Sequence, residues 1–148
     1  EFVRSHRMGN KNKMKQIAEI LSQFKNYSHC LDAFVEQIQI GAYRSSDIFG
    51  DILHLCEKQD PFLQEIFPSP EQVMAKLVLN IFHGKLQEYL QSKLGEDKEQ
   101  SYESFLQNLY ELYSKTRKLS VDLTGVVKVG SDKDYVNALI RALFARYI

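Results

Sequence analysis

Residues 69–94 read SPEQVMAKLVLNIFHGKLQEYLQSKL, and this stretch decides the fold. Ser69 stands where a helix N-cap belongs, Pro70 suits the first helical position, and Gln72 sits where a capping box wants it. Val73, Leu77, Ile81, Leu86, Leu90 and Leu94 then recur at steps of three to five, and Gly95 follows at the C-cap. The pattern predicts one long helix over 70–94, with one wet side and one side that must find a partner.

The same spacing recurs on both sides of it. Helices are predicted over 1–7, 11–24, 28–39, 46–59, 70–94, 101–124 and 132–148. Met14, Ile17, Leu21 and Phe24 form the inward face of the second. Leu31, Phe34, Val35 and Ile38 do so in the third, which Ser28 caps and Gly41 ends. Ser45 and Ser46 offer caps for the fourth, with Ile48, Phe49, Ile52, Leu55 and Cys56 inward. Pro61, after Asp60, interrupts that helix or opens a new turn, and Pro68-Ser69-Pro70 marks a boundary.

Ser101 caps the sixth helix, whose face is Phe105, Leu106, Leu109, Tyr110, Leu112, Tyr113, Leu119 and Leu123. Residues 125–130 read as an extended connector that packs its valines. Ser131 with Asp134 opens the last helix. Connectors this short make successive helices antiparallel neighbours. The expected fold class is all-α: an elongated bundle of six to seven antiparallel helices, forming one domain or a fragment of a longer rod.

Composition narrows the function. Nineteen basic and nineteen acidic side chains cancel, which argues against a nucleic-acid binder that must neutralise phosphates. Arg4, Arg7, Lys11, Lys13 and Lys15 make residues 1–15 locally basic, read as a solvated helix face rather than a lipid contact. No apolar run reaches the roughly twenty residues needed to cross a bilayer, so no membrane insertion is expected. Two cysteines among 148 residues fit a reduced, cytoplasmic setting better than a disulfide framework. The chain begins without methionine and ends on the stripe Leu139, Ile140, Leu143, Phe144 and Tyr147 with no capping signal. It therefore reads as a piece of a longer helical protein, and its ends are expected to expose apolar surface and to self-associate.

No arrangement for chemistry stands out. His29-Cys30 and His54-Leu55-Cys56 resemble a zinc set on paper, but helical neighbours one and two apart point about 100° and 200° apart. Asp47 with Asp51, and Glu96, Asp97 and Glu99, lie on polar faces or in a loop. No catalytic residue, metal site or cofactor is expected. Tyrosines on a helix stripe are usually core, yet Tyr suits interfaces. Tyr110, Tyr113, Leu143, Phe144 and Tyr147 are therefore candidate protein-interface residues.

Five blocks carry a resemblance: FKNYSHCLDAF at 24–34, GAYRSSDIF at 41–49, IFPSPEQVMAKLVLNIF at 66–82, KLQ at 85–87 and FLQNLYELY at 105–113. In order and spacing they resemble the Sec-ten subunit of the exocyst, also called exocyst component five. The resemblance implies a rod of stacked helical bundles without catalytic residues. It implies a place in the complex that tethers secretory vesicles to the plasma membrane in exocytosis. Its implied partners are other exocyst subunits, notably the Sec-fifteen one, with an indirect link to a vesicle Rab GTPase. A generic cytosolic helical adaptor is the alternative, and a small cysteine- or metal-dependent enzyme a third.

Overall fold

The computed structural model describes residues 10–95, 101–127 and 134–147, apart from the Val126 side chain. The first predicted helix, Glu96, Asp97 and Glu99, Ser131 and residues 128–130 of the connector lie outside them. The fold is all-α: among the described residues there is no strand. The helices are α1 (Lys11–Leu21), α2 (Tyr27–Ile38), α3 (Ile48–Ile66), α4 (Pro70–Ile81), α5 (Gln87–Leu94), α6 (Tyr102–Val126) and α7 (Tyr135–Phe144). A π-helical turn, Phe82–Leu86, joins α4 to α5 without a break, so residues 70–94 form one continuous rod.

That turn explains the uneven spacing of the stripe. Val73, Leu77 and Ile81 are four apart, as are Leu86, Leu90 and Leu94, but Ile81 and Leu86 are five apart. In a pure α-helix the extra residue would swing the second half of the stripe by about 100°. A π turn closes i→i+5 and absorbs one residue. All six side chains are consequently buried. His83, Gly84 and Lys85 form the exposed outside of the turn.

The rod is the hub. α2 and α3 pack on α4, α7 reaches the π turn, and α6 packs on α5, while α1 packs on α3. Polar contacts pin the same pairs. Lys76 Nζ donates to Asp32 Oδ1 (2.9 Å) and Ser28 Oγ (3.0 Å). Gln39 Nε2 donates to Asn80 Oδ1 (2.7 Å), and the Tyr135 hydroxyl donates to the Ala75 carbonyl (3.1 Å). α2 and α4, two helices apart in the chain, run parallel, the relation that two successive antiparallel steps give. α2 packs chiefly on α4, and its contacts climb both helices together, from Ser28 and Asp32 at Lys76 to Gln39 at Asn80.

Several predicted boundaries move. The second predicted helix stops at Leu21 rather than residue 24. Tight i→i−3 bonds from Gln23 and Phe24 replace it, and the Phe24 ring is exposed, not inward. Ser28 lies inside the first turn of α2 instead of capping it, and Asn26 holds the cap position. Asp47, not Ser45 or Ser46, precedes α3. Ser45 supports that entry by accepting the Asp47 N–H at 3.1 Å. At α4 the capping box does not form: Ser69 uses its backbone carbonyl, not its side chain, to accept from Gln72 and Val73. Ser101 does cap, accepting the Ser104 N–H at 3.1 Å. Gly125 continues α6 rather than starting a connector. Gly95 is extended, not left-handed. It is needed because a Cβ there would sit 2.5 Å from the Gln91 carbonyl oxygen.

The largest correction is at Pro61, which neither interrupts nor ends its helix: α3 runs through it to Ile66. Pro61 lies on the exposed side, so the carbonyl it leaves without an intrahelical donor stays near water. Continuing the helix buries Leu63 and Ile66, and Phe67 just beyond them. Phe34 stacks on Phe62 (6.1 Å between centroids) and meets Phe67 at 5.3 Å. Burying three large side chains contributes about 5–9 kcal/mol before entropy, against about 3 kcal/mol for an interior proline.

Two stability tests follow from these positions. Deleting Gly84, which has open space around it, turns the π turn into α-helix and keeps the stripe in register. Inserting one alanine after Gly84 instead rotates Leu86, Leu90 and Leu94 out of the core. Thermal or urea unfolding is expected to show a loss within about 1 kcal/mol for the deletion and about 4 kcal/mol or more for the insertion. Pro61→Ala restores the missing N–H and is expected to stabilise by about 1–2 kcal/mol in the same assay.

Candidate functional site

α6 and α7 build an open apolar groove among the described residues. Their register follows from two contacts. The Tyr113 ring stands edge-on to Phe144 at 5.2 Å, and Ser120 Oγ donates to Asn137 Oδ1 at 3.3 Å. Positions rise on α6 as they fall on α7, so the two helices are antiparallel. Between them opens a groove of about 550 Å³, lined by Leu106, Leu109, Tyr110, Tyr113, Arg141, Phe144 and Ala145. Tyr110 is 75% exposed and Leu106 44%. These two, placed on an inward face by periodicity, point to solvent instead.

Three of the five interface candidates thus converge: Tyr110, Tyr113 and Phe144 line one groove. Phe144 is otherwise buried, and Leu143 is buried too. Tyr147 is half-buried, and its hydroxyl donates to Gln91 Oε1 at 3.0 Å. The stripe Leu139–Tyr147 is therefore mostly covered by its own chain, not left open as its missing cap suggested. Leu106, Leu109 and Arg141 were not singled out as interface residues. The signal available for the two leucines was their spacing with Tyr102 and Tyr113; Arg141 carried none.

Among the described residues no three His, Cys, Asp or Glu side chains could jointly hold a metal ion. His29, His54 and His83 are exposed, and His6 lies outside the described residues. Asp51 Oδ2 accepts the Ser45 N–H at 3.1 Å, a loop-shaping role. Burial pushes the Cys30 thiol up. Desolvation pushes Cys56 up to about 12, helped by the charges of Asp60 and Glu57. Both shifts disfavour the thiolate that a nucleophile needs. No described helix is long and apolar enough to cross a membrane. Lys11, in the basic segment, lies 3.6 Å from the Glu65 carboxylate.

Fold and groove together define an all-α helical-bundle segment with an apolar groove between α6 and α7. A family model described as "Exocyst complex component Sec10-like, alpha-helical bundle" matches residues 1–148. The chain belongs to this family. Exocyst complex component 5 of Homo sapiens is 39% identical over 149 residues, covering 100% of this chain and 21% of that protein. The Drosophila melanogaster protein of that name is 40% identical over 148 residues, covering 100% and 20%. The Caenorhabditis elegans one is 40% identical over 152 residues, covering 100% and 23%. The chain thus spans about a fifth of the length of these curated relatives. The resemblance carried by the five sequence blocks is to this family.

The buried thiol supplies a pH test. The folded chain holds the Cys56 proton more tightly than the unfolded chain, whose thiol titrates near 9.0. Stability therefore falls as pH rises from about 9 to about 12. Raised tyrosine values at Tyr27, Tyr43 and Tyr135 act in the same direction. Cys56→Ala is expected to flatten part of that slope in melting curves. Thiol labelling at pH 8 is expected to leave Cys56 untouched until denaturant is added, and to modify Cys30 more slowly than free cysteine.

Proposed function

We propose that this chain is a non-catalytic structural segment of an exocyst subunit. That subunit tethers secretory vesicles to the plasma membrane during exocytosis, and the segment works through protein–protein contacts. The observation that carries this reading is the family match along all 148 residues. The physical organisation agrees with it: the apolar stripes are spent on burying one another. Such packing makes a stiff spacer, since burial at roughly 25 cal/mol per Å² is distributed over every helix.

The partners on this reading are other exocyst subunits, notably the Sec-fifteen subunit, which provides the indirect link to a vesicle Rab GTPase. The protein works in the cytoplasm and is recruited to vesicles and to plasma-membrane sites of exocytosis. The interface includes Tyr110 and Tyr113 on α6 with Phe144 at the end of α7; buried Leu143 and Tyr147, which is held by Gln91, adjoin it in sequence.

Affinity purification of the full-length parent subunit, with identification of what comes with it, tests the reading. Other exocyst subunits are expected in stoichiometric amounts. A parent replaced by one carrying Leu77→Asp, which puts a charge in the buried stripe of the hub rod, is expected to lose secretion and to recover fewer subunits. Recovery of a stable assembly containing no exocyst subunit would instead support a generic helical adaptor.

A further inference from the structure

The chain has three prolines, preceded by Asp60, Phe67 and Ser69. Ser69-Pro70 is therefore its only serine or threonine followed by proline. Ser69 stands before α4, where serine ordinarily turns its hydroxyl onto the first-turn N–H groups. Here, at φ −126° and ψ 77°, it makes no side-chain cap bond, and the residue is exposed. Its carbonyl closes the turn instead, accepting from Gln72 at 3.1 Å and Val73 at 3.4 Å. The hydroxyl takes no part in the cap that its position offers.

A protein kinase takes its substrate as an extended segment with the accepting hydroxyl at the centre. Phe67, at φ −100° and ψ 142°, is already extended, and Pro68 and Ser69 after it are exposed. Beyond Ser69 only the first turn of α4 stands in the way. Both bonds that close it end on the Ser69 carbonyl, Glu71 and Gln72 are exposed, and buried side chains resume at Val73. Helix ends open at small cost, so residues 68–72 can lift between two buried anchors, Phe67 and Val73. Pro70 selects the enzyme. It has no N–H, so it enters an apolar pocket beside the reacting serine without the desolvation that another residue's amide would suffer.

We propose that Ser69 is a phosphorylation site for proline-directed protein kinases. Ser69 Oγ attacks the γ-phosphorus of a nucleoside triphosphate. An O–P bond forms, the bond to the β,γ-bridging oxygen breaks, and the diphosphate leaves, while the hydroxyl proton passes to the kinase's catalytic carboxylate. The phosphate then sits at the start of the hub rod with a charge of about −1.5 to −2. It supplies the cap that the hydroxyl does not. The Glu71 N–H has no intrahelical carbonyl ahead of it, and the helix dipole favours an anion there. Glu71 is the acidic side chain of that turn; it is exposed, so salt screens its repulsion. Phosphorylation thus tightens the first turn of the hub.

The test incubates the full-length parent subunit with ATP and Mg²⁺ and, in parallel, a mitogen-activated and a cyclin-dependent protein kinase. Occupancy of Ser69 is read by mass spectrometry, with a synthetic peptide of residues 64–74 as the unfolded reference. At least one kinase is expected to modify Ser69 in the parent, at a rate within roughly tenfold of the peptide. Pro70→Ala is expected to cut that rate roughly tenfold, because the restored N–H meets an apolar pocket. Misfolding cannot imitate this loss, since unfolding exposes Ser69 and raises the rate. Ser69→Ala is expected to remove the label at this position and leave the melting temperature unchanged. In the phosphorylated parent, amide exchange at Glu71–Val73 is expected to slow roughly threefold while that of α6 stays constant. A parent left unmodified at Ser69 by both kinases overturns the proposal, whether or not the peptide reacts. So does a Pro70→Ala rate equal to that of the natural chain. Exchange at Glu71–Val73 that is unchanged or faster overturns the capping role. None of these readouts involves another exocyst subunit, so they stand or fall apart from the proposed function.

Discussion

The structure depends on one constraint: residues 70–94 must keep a single apolar stripe turned inward along about seven helical turns. Every other described helix except α1 packs on this rod, and α1 reaches it through α3. A straight α-helix cannot satisfy the constraint with the residues present, because Ile81 and Leu86 are five apart. The π turn resolves the mismatch by giving up ideal hydrogen-bond geometry over Phe82–Leu86. Phe82 and Leu86 are fully buried within it. Local backbone cost is exchanged for burial of Leu86, Leu90 and Leu94, which is the larger quantity.

The polar groups near the core serve the same end. Gln39 accepts the Tyr43 hydroxyl at 2.6 Å while its amide reaches the Val35 carbonyl and Asn80. The chain of bonds ties the loop after α2 to the end of α4, just before the π turn. Gly41, at φ +76, gives the backbone a left-handed step that bulkier residues resist, so the chain can double back there. Lys85 lies over the Tyr43 ring at 5.5 Å, adding a contact from the exposed side of the turn. These interactions are individually modest, but they specify the register in which the stripes meet.

Much of the architecture was legible in the sequence because helical burial is periodic. The stripe over 70–94, the break at Pro68-Ser69-Pro70 and the Ser101 cap each rest on a local rule and each is present. What local rules missed was decided at a distance. Pro61 reads as a helix end until Phe62 and Phe67 meet the Phe34 ring and Leu63 and Ile66 are buried beyond it. Gly125 reads as a loop until Leu123 and Val127 are buried on either side of it. The site was less legible than the fold. Periodicity marks an apolar face but not what covers it, so Leu106 and Phe144 look alike in sequence. In the structure one is largely exposed and the other enclosed.

The composition of the open and closed halves of α6 carries a further argument. Where α7 covers α6, the helix uses Thr116 and Ser120, small residues whose hydroxyls are satisfied internally, Thr116 at the Leu112 carbonyl at 2.7 Å. Small side chains let two backbones approach closely. Where it is open, it uses Tyr102, Tyr110 and Tyr113 around the two leucines. Tyrosine keeps a hydroxyl in water while offering a large rigid face, so an unoccupied groove costs less than one built from leucine alone. A surface designed only to be covered permanently would gain by being more apolar. One that stands uncovered, as this half of α6 does, is better served by tyrosine.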